Sequence, residues 1–335
     1  MKNDVVRSVC LFTDKPDQKA IERVDSLATR LSDEGFAVQT RRICTPKFEL
    51  GKTTSEILKS SVLVCIGESS SNEIQKMIQS DQSISFHVDL TSAKIDEAAT
   101  KPLFDLIRNK PSATFDFAFV FNNAKSSPYF PSAEYERNGF AIGLQPTDLS
   151  EGCASLEEWF EKTKESWKRI CELFENDPDF LGIDSSVAPL FEGKSSLINF
   201  VKRLGMNFSE SVTTDTYLRI TEFIKKQNPK PIGLCGLMLP CLEDFELAEE
   251  YENGNFSIER NVFLSLHCGL GIDTYPIGVD EKPKRVAEIL RLVQGLSNKY
   301  KKPLSVRFVS DGKAKICEKT NFKNQYLKDV KVRRL

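Results

Sequence analysis

Two glycine-rich apolar runs decide how this chain folds: IGLCGLMLPCLED at residues 232–244 and CGLGIDTYPIG at residues 268–278. Apolar runs of this length, bounded by turns and helices, are typical of buried parallel strands. Both runs carry carboxylates, Glu243 and Asp244 in the first and Asp273 in the second. Because ligands of parallel sheets bind just past the carboxyl ends of the strands, we expect the functional site in this region.

The rest of the chain alternates apolar runs with amphipathic helical patterns, among them a short helix around Ile57. This alternation predicts an α/β fold with a largely parallel sheet, formed by a single domain over residues 1–335. An open doubly wound sheet is an alternative that periodicity leaves open. The pattern predicts about ten strands, at residues 5–12, 36–43, 61–66, 84–90, 114–121, 140–145, 180–187, 232–239, within 268–275, and 304–309.

The composition excludes several classes of protein. A formal net charge of −2 over 335 residues gives no electrostatic basis for binding nucleic acid or an anionic membrane. The first apolar run is short and contains Arg7, and no run approaches the roughly 20 apolar residues of a membrane span, so we expect a cytoplasmic protein. Neither GxGxxG nor a Walker A loop is present, so no nucleotide cofactor is expected, and two histidines exclude a histidine-rich zinc or iron site.

Five segments carry a family resemblance. They are SSPYFPS at 126–132, GFAIGL at 139–144, FLGIDSSVAPL at 180–190, GLCGLMLPCLED at 233–244 and CGLGIDTYPIG at 268–278. Together they resemble the uncharacterised family called domain of unknown function 711, over about residues 5–320. The family is similar in fold to pyruvate formate-lyase, whose α/β barrel has ten strands in two five-stranded halves. The resemblance therefore implies a single-domain barrel whose strands are mostly parallel within each half.

The resemblance implies less about activity, because the family has no settled one. Its bacterial members are often encoded beside an ACT-type regulatory domain, which implies a possible partner of that type, and we also expect a homo-oligomer. Pyruvate formate-lyase carries its radical on a glycine in a C-terminal loop. This chain has no glycine after Gly312, so we expect no glycyl radical.

An acidic cluster is the first candidate site. Asp184, Glu243 and Asp273 each follow or end the apolar part of a predicted strand, and the strands of one barrel half would bring them to one rim. Converging carboxylates suit Mg²⁺, Ca²⁺ or an acid–base pair. We predict that all three bind a divalent cation and that Asp184 and Asp273 are catalytic. The alternative is that such residues cap the following helices, most of all Asp244 and Asp311.

Further residues are candidates for substrate binding. Arg307 lies mid-strand, so it faces solvent, meets a carboxylate or binds an anionic ligand. Tyr129 stands in a loop that either walls a pocket or is pinned by buried aromatics. Gly269 and Gly271 allow close approach of a ligand or tight packing. Cys268 is expected to be a structural core thiol, because five strand residues separate it from Asp273 and an odd offset turns the two side chains apart.

The predicted function is that of an enzyme acting on a small anionic metabolite with a divalent cation. The alternative is a non-catalytic metabolite-binding or regulatory protein that works with a partner such as an ACT-type domain. Both would use the same small-molecule pocket, and the sequence leaves the choice between them open.

Overall fold

The computed structural model describes residues 4–46, 60–80 and 83–335. The predicted helix around Ile57 lies outside these ranges. Within them, one sheet contains ten strands. These are β1 (Asp4–Phe12), β2 (Phe36–Val38), β3 (Arg41–Cys44), β4 (Leu63–Glu68), β5 (Ser85–Asp89), β6 (Phe117–Phe121), β7 (Gly139–Leu144), β8 (Phe180–Asp184), β9 (Gly271–Pro276) and β10 (Leu304–Val309).

Helices separate most of these strands. In the described ranges they are α1 (Gln18–Asp33), α2 (Ser71–Gln79), α3 (Lys101–Asn109), α4 (Pro146–Leu149), α5 (Leu156–Leu173), α6 (Leu197–Arg203), α7 (Phe208–Ser211), α8 (Thr216–Lys226), α9 (Phe245–Glu252), α10 (Ile258–His267) and α11 (Pro283–Tyr300). Short 3₁₀ turns occur at Ala98–Thr100, Pro111–Thr114 and Gly193–Ser195. No helix in the described ranges combines the length and apolar character needed to cross a membrane.

The long helices form where the sequence supplies a cap and an apolar stripe. The side chain of Ser155 accepts the backbone N–H of Glu158 at the start of α5, as the spacing of these residues predicts. Trp159 and Trp167 of this helix are almost fully buried. Helix α1 likewise buries a stripe at helical spacing, made of Ala20, Ile21, Val24, Leu27 and Leu31.

The strands fall into two sets that run in opposite directions. The order across the sheet is β8-β7-β1-β3-β4-β5-β6-β10-β9, and β2 pairs with the first half of β1. Strands β1, β3, β4, β5 and β6 are parallel to one another. Strand β7 is antiparallel to β1, and β10 is antiparallel to β6. Each of these two strands has a parallel neighbour, β8 and β9 respectively.

The extended segment 231–240 connects the two ends of this sheet. It forms parallel bridges to the β8 side at Ile183–Pro231 and Val187–Leu237. Further parallel bridges, Leu237–Gly269 and Pro240–Asp273, join it to the β9 side. Because one segment pairs with both edges, the sheet curls into a barrel-like arrangement with an interior.

The α/β fold with a ten-stranded sheet is confirmed, but two of the predicted strands are corrected. The run predicted at 36–43 is two strands, β2 and β3, separated at Gln39 and Thr40. The run predicted at 232–239 is not a regular strand and forms only isolated bridges. Gly233 and Cys235 both have positive φ, of 73° and 43°, which interrupts the extended backbone that a ladder requires.

Candidate functional site

A cavity of about 120 Å³ lies inside the barrel. Residues from seven strands and from the segment 231–240 line it, which places it in the interior rather than on a face of the sheet. Examples from each are Arg7 (β1), Arg42 (β3), Val64 (β4), Ser85 (β5), Ala118 (β6), Asp273 (β9), Arg307 (β10) and Leu234. A wider outer cleft of about 620 Å³ adjoins it and shares Arg7, Arg42 and Phe115 with its lining.

Arg307 holds two of the predicted carboxylates in this cavity. Its Nη1 donates to Glu243 Oε1 at 3.0 Å and to Asp273 Oδ1 at 3.1 Å. Its Nε donates to the backbone oxygen of Phe115 at 3.0 Å, and the guanidinium lies 4.5 Å from the Phe115 ring centroid. Of the alternatives that the sequence leaves for Arg307, the structure therefore shows the buried pairing with carboxylates.

Glu243 is also held from the opposite side by Arg7. The Nη2 of Arg7 lies 3.4 Å from Glu243 Oε2, and both side chains are largely buried. Burial raises the pKa of the Glu243 carboxyl, and the Arg307 charge opposes that shift. Arg7, Glu243, Arg307 and Asp273 thus form a chain of buried charges in which each cation contacts a carboxylate.

Arg42 is different, because no carboxylate lies within 4 Å of it in the described part of the chain. It is 7% exposed. Its Nε donates to Thr40 Oγ1 at 3.0 Å and its Nη1 to the backbone oxygen of Pro128 at 3.1 Å. Burial lowers the pKa of Arg42 to about 10, and the nearby Arg7 charge adds to this shift. Among the described residues, Arg42 is therefore a buried cation whose hydrogen-bond acceptors are all neutral.

Asp116 is a third carboxylate in the cavity wall. Its oxygens accept hydrogen bonds from the hydroxyls of Ser83 at 2.7 Å and Ser85 at 3.3 Å. Burial raises the pKa of this carboxyl, while these hydroxyls and the Arg307 charge oppose the shift. The described lining thus contains three arginines and three carboxylates.

The predicted substrate-binding residues divide between the cavity and the packing around it. Tyr129 lines the cavity, but its hydroxyl is already hydrogen-bonded to the backbone oxygen of Leu144 at 2.9 Å. Gly271 also lines the cavity, where φ is +109° and a Cβ would meet Ser305 O at 2.0 Å. Gly269 does not line it. A Cβ there would press on the backbone of α10, so tight packing explains this glycine.

The structure corrects the expectation that Asp184 and Asp273 meet at one rim. The bridges Val187–Leu237 and Leu237–Gly269 place Val187 and Gly269 at the same height along the barrel. Asp273 lies four residues beyond Gly269. Four residues of strand correspond to about 13 Å. Asp184 precedes that level by three residues and does not line the cavity. The two carboxylates are therefore offset in opposite directions along the barrel.

Asp184 instead has a set of partners of its own. It is fully buried and accepts five hydrogen bonds. The donors are Ser127 Oγ (2.7 Å), Ser186 N (3.0 Å), Ser186 Oγ (2.6 Å), Leu234 N (2.9 Å) and Cys235 N (3.0 Å). These bonds fasten the 126–132 loop and the segment 231–240 to the end of β8. The geometry is that of a structural carboxylate, and a catalytic role for Asp184 stays a prediction.

Asp184, Glu243 and Asp273 are not grouped as a metal site in the described part of the chain, and the binding of a divalent cation stays a prediction. Within the described residues, no three His, Cys, Asp or Glu side chains are grouped so that they could hold a metal ion. Arg307 bridges Glu243 and Asp273, so a cation bound between these two carboxylates would compete with its guanidinium.

Asp244 and Asp311, expected to be helix caps, differ in what they cap. Asp244 is the N-cap of α9, and its carboxylate accepts Leu247 N at 3.3 Å and Leu197 N at 3.0 Å. Asp311 caps a turn instead and accepts the backbone N–H groups of Lys313 and Ala314. The capping interpretation is confirmed for Asp244. For Asp311 the capped element is a loop.

Asp244 should make the stability of the protein depend on pH. Burial raises its pKa to about 7. The folded protein then binds this proton more tightly than the unfolded chain, whose carboxyl titrates near 4, so stability falls as pH rises from about 4 through about 7. Asp244→Asn retains an oxygen acceptor but cannot ionise. Its amide group replaces one acceptor with a donor, which adds a cost that does not change with pH. The stability of the variant relative to the parent should therefore rise by on the order of 1–3 kcal/mol as pH rises from 5 to 8.

Urea denaturation at a series of pH values measures this difference. Asp17→Asn, at the N-cap of α1, controls for replacing a capping carboxylate with an amide. A constant difference between Asp244→Asn and the parent across the series would contradict the assignment.

Cys268 lies at the C-terminus of α10 and is 1% exposed. Its thiol donates to Leu264 O at 3.2 Å, and burial raises its pKa to about 12. A thiol in this state is a poor nucleophile, which supports the expectation that Cys268 is structural.

Sequence reasoning missed three residues of the cavity: Arg7, Arg42 and Asp116. Arg7 is a charged residue inside the apolar strand β1, the same signal that singled out Arg307. Arg42 follows Arg41 at the start of the four-residue strand β3, so it carries no such signal. Asp116 directly precedes β6, at the amino end of a strand rather than the carboxyl end, so a search restricted to carboxyl ends passes over it.

Comparison with protein families identifies the family of this chain. The sequence model of a family described as Uncharacterised ACR (DUF711) matches residues 72–323, which is 252 of the 335 residues. A comparison with curated proteins found no match.

Proposed function

The chain belongs to the uncharacterised family DUF711, and we propose that its barrel cavity binds a small anionic metabolite with Arg42 as the anchor. The observation that carries this proposal is the state of Arg42: a buried guanidinium lining a cavity, with no carboxylate within 4 Å in the described residues. Burying an unpaired charge is costly, and an anion in the cavity offsets that cost.

The geometry also selects Arg42 over its neighbours. Arg7 and Arg307 already contact Glu243 and Asp273, so their charges are compensated within the protein. A guanidinium has five N–H donors, and Arg42 uses its Nε and Nη1 on neutral acceptors. Its Nη2 has no hydrogen-bond partner in the described residues and can bind a carboxylate or another oxyanion.

An enzymatic role has support from Asp116. A catalytic acid or base needs a carboxyl whose pKa is raised toward the working pH and which faces the ligand. Asp116 lines the cavity, and its pKa is raised by burial. We propose Asp116 as the proton donor or acceptor of a reaction in this cavity. The alternative is a non-catalytic binding protein that works with an ACT-type or other partner. In that case Asp116→Asn would leave both ligand binding and partner binding unchanged.

The divalent cation predicted from the sequence would compete with Arg307 for the carboxylates of Glu243 and Asp273. A cation at Glu243 and Asp273 would have to displace Arg307, whose Nη1 donates to both carboxylates. We therefore expect an anion to leave the Arg307 contacts with Glu243 and Asp273 intact, whereas a cation bound there would break them.

The opposite directions of the two strand sets support the finer fold proposal, a barrel similar to that of pyruvate formate-lyase. The radical chemistry of that enzyme is not part of the proposal, because a fold does not carry its chemistry with it. The cytoplasmic location and the homo-oligomer remain predictions.

Arg42→Met tests the proposal through thermal stability. Sodium propionate, compared with sodium chloride at equal ionic strength, should raise the melting temperature of the parent, because a ligand that binds only the folded state stabilises it. At a concentration about 100-fold above Kd the gain is about 2.7 kcal/mol. Arg42→Met should lose this response and keep the ligand-free stability within about 1 kcal/mol, since an apolar residue replaces a buried unpaired charge.

The matched control is Arg169→Met, which removes a surface arginine paired with Asp4 at 2.9 Å. It should retain the propionate response. Equal responses from the parent and Arg42→Met would overturn the assignment of Arg42 as the anchor.

A further inference from the structure

Asp273 presents a second open group to the cavity. Its Oδ1 accepts Arg307 Nη1 at 3.1 Å, whereas its Oδ2 has no hydrogen-bond partner in the described residues. The side chain is 17% exposed and lines the cavity. A carboxylate oxygen can only accept hydrogen bonds, so the complementary group on a ligand is a donor.

Arg42 and Asp273 both line the cavity of about 120 Å³, so a molecule that fills this space contacts both side chains. Glu243 lines the same cavity and shares the Arg307 contact with Asp273. Its charge also acts on Arg42. The open donor of Arg42 and the open acceptor of Asp273 therefore belong to one cavity.

The remaining wall sets the size and polarity of the ligand. Apolar side chains of Leu234, Met238, Leu239 and Leu270 cover part of it. The cavity volume of about 120 Å³ is slightly smaller than the roughly 150 Å³ of an apolar cavity that holds benzene. A ligand of about six non-hydrogen atoms fills such a space.

From these features we propose that the ligand is a short 2-hydroxy or 2-amino acid. Its carboxylate binds Arg42, its hydroxyl or ammonium group donates to Asp273 Oδ2, and its body of one or two further carbons packs on the leucine and methionine side chains. This inference rests on the proposed anion site and narrows it to one class of ligand.

Titration calorimetry on the full-length protein tests the class with four probes: propionate, L-lactate, L-alanine and L-3-phenyllactate. Lactate or alanine should bind about tenfold more tightly than propionate, because each adds a hydrogen bond to a charged acceptor. Which of the two is tighter identifies the donor as hydroxyl or ammonium. Phenyllactate carries the same head group on a body too large for the cavity and should bind at least tenfold more weakly than lactate.

Asp273→Ala should reduce the preference for the donor-bearing acids to less than about threefold. Asp273→Asn, which keeps the shape and one acceptor oxygen, should retain part of the preference for lactate and lose that for alanine. Equal binding of propionate, lactate and alanine, with all three lost in Arg42→Met, would overturn this inference and leave the anion site intact. Binding of phenyllactate as tightly as lactate would also overturn it. Failure of every acid to bind would overturn both proposals.

Discussion

Replacing Asp184 with alanine is expected to destabilise the folded protein by about 3–5 kcal/mol. The carboxylate is fully buried and accepts five hydrogen bonds, three of them from backbone N–H groups. Alanine would leave these five donors without their protein acceptor in a fully buried site. A Cβ built on Gly233, for comparison, would lie 2.3 Å from Asp184 Oδ2.

Asp184→Asn should be almost as damaging, because its amide group would place donor hydrogens against donors. Asp215→Ala is the matched control: Asp215 is the N-cap of α8 but makes no side-chain capping hydrogen bond. It should change the free energy of unfolding by less than about 0.5 kcal/mol. If Asp184→Ala costs less than about 1 kcal/mol and abolishes ligand binding, Asp184 is functional rather than structural.

Arg307→Met is expected to cost a similar 3–5 kcal/mol at pH 8. The guanidinium contacts both Glu243 and Asp273, and its removal leaves these two carboxylates without their shared partner, although the charges of Arg7 and Arg42 still act on Glu243. By contrast, Arg30→Met should cost less than about 1 kcal/mol, since Arg30 is more exposed and Arg23 still pairs with its partner Asp177.

The cost of Arg307→Met should depend on pH in a definite direction. Burial already raises the pKa of Glu243, and the Arg307 charge opposes that shift, so its loss raises the pKa further. A carboxyl whose pKa is higher in the folded state destabilises that state as pH rises. The deficit should therefore be largest at pH 8 and shrink toward pH 5.

A second variant separates charge from packing. Glu243→Gln in the Arg307→Met background removes one of the two carboxylate charges that repel each other once Arg307 is gone, and should recover at least half of the lost stability. Urea denaturation of the parent, both single variants and the double variant gives the coupling energy. No recovery in the double variant, or a cost that does not change with pH, would show that Arg307 acts by packing.

The sequence predicted those parts of the fold that local pattern determines. The pattern of continuous apolar runs located β1, β6, β7 and β10 because each is buried along most of its length. It could not show that 232–239 fails to form a ladder, since the backbone turns at Gly233 and Cys235 are set by the carboxylate of Asp184 about 50 residues earlier.

The site was only partly predictable for a similar reason. Arg307, Glu243 and Asp273 are close in space, as expected of residues on neighbouring strands. Sequence position alone could not reveal that Arg7 and Arg42, some 200 residues or more from Glu243, enter the same cavity from the opposite half of the sheet. Nor could it show that Asp184 and Asp273 are offset along the barrel, because that depends on the register of the bridges.

Anomalous X-ray diffraction from crystals soaked separately in sodium bromide and manganese chloride distinguishes an anion from a cation as the ligand of the cavity. We expect a bromide peak within about 4 Å of the Arg42 guanidinium, inside the cavity, and an unbroken Arg307 contact with Glu243 and Asp273 in both soaks. A manganese peak between Glu243 and Asp273, with Arg307 displaced and no bromide beside Arg42, would contradict this expectation and restore the cation as the ligand of this site.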